Sequence, residues 1–104
     1  MAATRDRLTL QTLLEELLCS RHVYYQPPEN LKMEYPAIRY SRSEIRNIHA
    51  DDHKYTSMNV YEVVVIDEDP DNEVIDKILE LPYSSLERHY VADNLNHDLI
   101  RLYY

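Results

Sequence analysis

Residues 61–74 read Tyr61-Glu62-Val63-Val64-Val65-Ile66-Asp67-Glu68-Asp69-Pro70-Asp71-Asn72-Glu73-Val74. The four apolar, β-branched residues from Val63 to Ile66 do not alternate with polar ones. Such a run predicts a central strand covered on both faces, by its own chain or by a neighbouring subunit. The strand is expected to run from Tyr55 to Asp67. The stretch that follows changes period. Asp69 suits a helix N-cap, Pro70 the first helical position, and the acids the positive end of a helix. Val74, Ile75, Ile78 and Leu79 then supply the buried stripe of a second helix, which Pro82 ends.

Working outward toward the N-terminus, residues Ala37 to Ser43 alternate, with Ile38 and Tyr40 on one face and Arg39 on the other. This is a half-buried strand, and Ile45 and Ile48 continue it irregularly. His49-Ala50-Asp51-Asp52-His53 reads as a polar loop, within a wider loop from Asn47 to Ser57. Tyr35 precedes Pro36 and is biased to extended or turn geometry. His22 to Tyr25 forms a short extended piece stopped by Pro27-Pro28. Leu10, Leu13, Leu14, Leu17 and Leu18 recur at helical spacing. They place a first helix at about residues 4–20, with Thr4 as N-cap.

Toward the C-terminus, Ser85 to Val91 and Leu99 to Tyr104 read as two strands. Asp93, Asn94 and Asn96 supply the turn between them, because these residue types tolerate left-handed backbone. The order α-β-β-β-α-β-β, in one domain over residues 1–104, predicts an α+β fold. Its mostly antiparallel sheet of about four strands carries two helices on one face.

Composition narrows the functions. The chain holds ten tyrosines and no glycine, phenylalanine or tryptophan. Without glycine, the φ > 0 positions used by phosphate-cradling loops, dinucleotide fingerprints and nucleophile elbows are missing. No cofactor is expected. The formal net charge of −8 lacks the basic excess of a nucleic-acid binder. Arg39, Arg42 and Arg46 form the one local basic cluster, and a solvated strand edge or ion pairing explains them. A single cysteine, Cys19, forms no internal bridge and fits a reducing compartment. It is expected to be a small buried thiol. No apolar run reaches the roughly 18 residues of a membrane span. The N-terminus has no signal-like stretch, so cytoplasmic synthesis without membrane partners is expected.

Three clusters carry candidate chemistry. Asp67 and Asp69 with a histidine would suit a small metal-dependent hydrolase, but helix capping accounts for the same acids. His49 and His53 flank Asp51 and Asp52 at i, i+4, a spacing with metal-binding meaning only on a helix. Asp93, Asn94, Asn96, His97 and Asp98 lie near His89, without an accompanying nucleophile or oxyanion donor. No catalytic or metal site is assigned to any of them, and an enzyme is not the expected class. Tyrosine is instead enriched where one end of a ring wants apolar cover and the other wants water. Tyr40, Tyr61, Tyr90 and Tyr103 fall within strands, and about half should cover the core. Tyr24, Tyr25, Tyr35 and Tyr104 fall at strand ends or loops. Those four, with Arg39, Arg42 and Arg46, are the expected subunit or partner contacts.

Several segments together resemble a family of small tailed-bacteriophage proteins: the tail-completion, tail-terminator or head–tail joining proteins of the neck. The matching pieces are YYQPPEN (24–30), MEYPAIRY (33–40), YEVVVIDEDPDNEV (61–74) and LPYSSLERHYVADNLNHDLIRLYY (81–104). The pattern covers about three quarters of the chain; helix one matches only in its amphipathic pattern. The resemblance implies an α/β fold and a homo-oligomeric ring, commonly a hexamer. That ring would cap the tail tube and offer a docking surface to the head connector or stopper protein in the virion. Genome DNA would pass transiently through the lumen. A head-side connector adaptor is the neighbouring expectation. A compact chain of this length has a radius of gyration near 13 Å. Six such bodies leave an opening with a radius of roughly 15 Å, wider than a duplex of radius about 10 Å. An acidic lumen would pass DNA without gripping it.

Overall fold

The computed structural model describes residues 7–28, 30–50 and 53–104, and the side chains of these except for 44–50 and 53–58. The elements are helix α1 (Arg7–Leu18), strands β1 (Val23–Tyr25), β2 (Ala37–Ala50) and β3 (His53–Asp67), helix α2 (Glu73–Leu79), and strands β4 (Ser84–Ala92) and β5 (Leu95–Tyr103). The fold is the expected α+β arrangement in the expected order. The sheet has five strands rather than about four, ordered β1-β2-β3-β5-β4. β1 lies parallel to β2 and every other pairing is antiparallel.

β3 is the central strand, and Val63, Val64, Val65 and Ile66 are all buried. On the helix-covered face Ile38 pairs with Val65, Tyr40 with Val63, Val63 with Ile100 and Tyr61 with Leu102. These residues pack with Leu10, Leu14 and Leu18 of α1 and with Val74 and Ile78 of α2. The opposite face carries Arg39, Ser41, Glu62 and Arg101, one register step away from the core residues. The β1–β2 connection is tied back to the β1 edge. The Glu34 amide donates to the Tyr24 hydroxyl at 3.5 Å, and the Glu34 carboxylate lies 3.1 Å from the His22 imidazole.

Five residues have positive φ, and none is glycine: Cys19, Gln26, Tyr83, Asp93 and Asn94. Asp93 (φ 53°) and Asn94 (φ 63°) form the two-residue β4–β5 turn. Two left-handed residues match the twist of a hairpin, and these two residue types adopt them at least cost. At the end of α1, Cys19 (φ 58°) reverses the chain. Its amide donates to the Glu16 carbonyl and the Ser20 amide to the Glu15 carbonyl, both at 3.2 Å. That bond pair is a Schellman motif, in which glycine is the usual occupant. Cys19 is accordingly exposed, not the buried thiol expected from its place beside the leucine stripe.

Other expectations are corrected at element ends. The first helix is described from Arg7 and ends at Leu18 rather than at about residue 20, and Thr4 lies outside the described residues. The second helix is capped by Asn72, not Asp69: the Asn72 side chain accepts from the Val74 amide at 2.8 Å. Pro70 falls in the preceding turn rather than at the first helical position. The last strand starts at Leu95 instead of Leu99 because the turn needs only two residues.

The largest correction concerns residues 47–57. Residues 47–50 and 53–57 are strand, not loop. β2 and β3 stay paired from Arg46–Met58 to Ala50–His53, with register shifts between Arg42 and Glu44 and between Ile48 and His49. The shifts scramble the alternation that would have revealed the strands. Pairing of β3 with β5 begins only at Val60, and β1 pairs only with residues 38–40. Residues 44–50 and 53–58 therefore form a two-stranded arm beyond the packed body, about 20 Å long at about 3.3 Å per residue. The molecule measures 50 × 25 × 23 Å, with a radius of gyration of 14.7 Å. It is longer than the compact body expected because the arm extends it along one axis.

Candidate functional site

The residues expected at an interface separate into three groups. Tyr25 and Tyr104 pack against the core. The Tyr25 ring lies 4.9 Å from Tyr40, with the Arg7 guanidinium 4.5 Å above it. Tyr40 in turn meets Tyr61 edge-on at 5.9 Å. Tyr40 and Tyr61 are buried, whereas Tyr90 and Tyr103 are half-buried, so two of the four strand tyrosines belong to the core. Burial raises the ionisation of both the Tyr40 and the Tyr61 hydroxyl above the ordinary tyrosine value. The Tyr40 hydroxyl donates to Gln11 Oε1 and accepts from Arg7 at 3.4 Å. Its polar end is thus satisfied inside the α1–sheet junction.

Tyr24, on β1, and Tyr35, in the β1–β2 connection, belong to the second group. Tyr24 is half-buried and Tyr35 is 41% exposed. The third group is basic. Arg39 and Arg42 line one open cleft of about 450 Å³ together with Gln26, Pro27, Ser41, Glu62 and Val64. Glu62 places a carboxylate in the same cleft. Arg46 is part of the arm, paired with Met58, and its side chain lies outside the described residues.

The three clusters with catalytic residue types are accounted for locally. Asp67 accepts from the Glu68 amide at 2.7 Å and from the Asn72 side-chain amide at 2.6 Å. Asp69 accepts from the Asp71 amide at 2.9 Å. Both carboxylates shape the turn that enters α2, and no three His, Cys, Asp or Glu side chains converge as metal ligands among the described residues. Asp51, Asp52 and the side chains of His49 and His53 lie outside the described residues. Asp98 is buried and bonds His89 Nδ1 at 2.7 Å across β4 and β5. Tyr90 stacks on His97 at 4.7 Å on the other face, and Arg88 lies 5.0 Å above Tyr90.

Sequence reasoning missed an apolar groove on the helix side of the molecule. Leu13, Leu81, Pro82, Leu102 and Tyr104 line a hollow of about 160 Å³. Leu13 and Tyr104 also border a wider hollow of about 530 Å³ with Leu8, Thr9, Thr12 and Glu16. Leu8 is 64% exposed at one end. The signal was present at Leu8, which falls off the leucine stripe of α1. The C-terminal contribution of Tyr104 depends on how β5 ends, and no local pattern reports that.

This end of the molecule also roots the arm, since the Tyr104 amide donates to the Asn59 carbonyl at 2.9 Å. No family model matches the chain, and a search of curated proteins finds no match.

Proposed function

We propose that this chain is a structural virion protein: a tail-terminator or tail-completion subunit that assembles into a ring at the head–tail joint of a tailed phage. The observation that carries the reading is the arm. An isolated two-stranded ribbon is marginal in water and needs a third strand or an apolar surface to hold it. A chain whose core is already complete gains nothing from some 20 Å of added ribbon unless another surface receives it. The segments at 24–30, 33–40, 61–74 and 81–104 supply the class of assembly, through their resemblance to phage neck proteins. The tail tube and the head connector are the partners in this reading, and DNA is a transient passenger. The net charge of −8 suits a passage that does not hold a polyanion.

Native mass measurement of the purified protein, with electron microscopy of the protein mixed with tail tubes, tests the proposal. A ring mass and density at one tube end are expected. A strict monomer that never attaches to tubes refutes it. Protein that fractionates with heads and not with tails moves it to the head side of the joint.

A further inference from the structure

We infer that the sheet face turned away from the helices receives the acidic outer side of α2 from a second copy, in a head-to-tail contact. The inference rests on the ring reading and names the surfaces that would close the ring. Charge, placement and the make-up of the sheet face carry it.

The charges of the molecule are segregated. Arg39, Arg42, Arg88 and Arg101 lie on or border the face away from the helices, together with Glu62 and Glu87. Those six residues give this face +2, which leaves −10 on the rest of a chain of −8. Lys32 and Glu34 of the adjoining β1–β2 connection cancel each other. Arg101 pairs with Glu87 at 3.5 Å, whereas Arg39 and Arg42 make no ion pair among the described residues. Copies of an acidic chain repel through most of their surface. Turning this face toward acids reverses the sign of the encounter.

The acids stand on the far side of the body. Val74 and Ile78 of α2 pack into the core. At about 100° per residue, Glu73, Asp76 and Glu80 share the opposite stripe, and all three are exposed. Glu68, Asp69 and Asp71 in the preceding turn are exposed as well, and Lys77 is the one cation between residues 67 and 80. Each copy thus carries one surface of each sign on opposite sides of its sheet. A contact between unlike surfaces repeats from copy to copy and closes into a ring when the rotation allows.

The sheet face has the composition of a protein contact. Arg39, Val64, Leu99 and Arg88 form one row across β2, β3, β5 and β4. Two apolar residues therefore sit between two cations, an apolar centre with a polar rim. In the neighbouring row the Tyr90 ring is engaged by both His97 and Arg88, so it is not an open platform for a nucleobase. Glu62 and Glu87 interrupt the arginines, which suits carboxylates spaced along a helix better than a continuous run of phosphates.

Charge exchange in the full-length protein tests the inference. One variant carries Arg39→Glu and Arg88→Glu, a second carries Asp76→Lys and Glu80→Lys, and a third carries all four. None of the four native side chains is buried. Self-association is read by native mass and sedimentation, in solution and on tail tubes, and folding by cooperative thermal unfolding. Wild type should assemble and loosen as salt rises from about 50 to about 500 mM. Each two-site variant should associate about tenfold or more weakly. The four-site variant, which keeps the net charge of −8, should recover to within about threefold of wild type. The lysine variant is the sharper of the two. Its net charge falls from −8 to −4, so relief of general repulsion alone would strengthen association rather than weaken it. If Arg39→Glu disturbs folding, Arg88→Glu alone, at an exposed edge position, takes its place with Asp76→Lys as counterpart. Folded two-site variants that assemble at wild-type strength overturn the inference, as does a four-site variant that stays weak, and either result leaves the ring reading standing. Arginine variants that still assemble but lose a single-stranded oligonucleotide bound by wild type overturn it in favour of a nucleic-acid surface. A wild type that is monomeric in solution and on tail tubes overturns both.

Discussion

Replacing Cys19 by glycine should stabilise the protein. Cys19 closes the Schellman motif of α1 with φ of 58°. A residue with a Cβ crowds the following carbonyl in that conformation, at a cost of about 1–2 kcal/mol. Glycine removes the crowding but adds freedom to the unfolded chain, which returns about 0.5–1 kcal/mol. The thiol contributes little, since it is exposed and bonds the Glu16 carbonyl at a long 3.5 Å. The net expectation for Cys19→Gly is a gain of about 0.5–1 kcal/mol, or roughly 3–6 °C in Tm for a domain of this size. Cys19→Ala keeps the Cβ and should show no such gain. Thermal and urea unfolding of the three proteins under reducing conditions measures the difference. A glycine variant no more stable than the alanine variant would refute the argument that backbone strain at residue 19 is what glycine relieves.

The capping assignment separates two neighbouring residues. Asn72→Ala, which removes the bond to the Val74 amide, should cost about 1 kcal/mol. Asp69→Ala, which opens only an exposed turn, should stay within about 0.5 kcal/mol, and the reverse order in urea unfolding would return the cap to Asp69. The buried tyrosines make the fold sensitive to alkali. Their hydroxyls ionise at higher pH in the folded state than in the unfolded one. That difference stabilises the fold fully below the unfolded tyrosine value near 10, and the stabilisation is lost as pH rises through the folded values. Tyr61→Phe keeps the ring and removes one titrating group, so its stability should fall less steeply as pH rises above about 10. Equal slopes in wild type and variant would refute the coupling.

Much of the fold was legible because its signals are short-range. The apolar block at 63–66, the leucine stripe of α1 and the Val74–Ile78 spacing of α2 each report burial through local period alone. Asp93-Asn94 announced a left-handed turn in a chain without glycine. Other features were hidden for equally physical reasons. Asp69 and Asn72 are both competent caps, and the choice between them follows from Asp67, whose side chain holds Asn72 in place. The arm was hidden by two register shifts that break strand alternation. Of the expected contact residues, the structure brings Arg39 and Arg42 into one cleft and Tyr25 and Tyr104 against the core. It leaves Tyr24 on β1 and Tyr35 in the β1–β2 connection.

By itself the sequence determined an α+β fold around one central, doubly covered strand, with no glycine loop to cradle a phosphate. Periodicity and turn chemistry act over a few residues, so these features survive without knowledge of the rest of the chain. The tertiary structure alone decided that β1 joins in parallel, that β5 inserts between β3 and β4, and that β2 and β3 outrun their neighbours. Strand order and strand overhang depend on which distant segments meet and where each stops. The projecting arm, on which the assembly reading depends, is the difference between the length of β3 and the length of its partner β5.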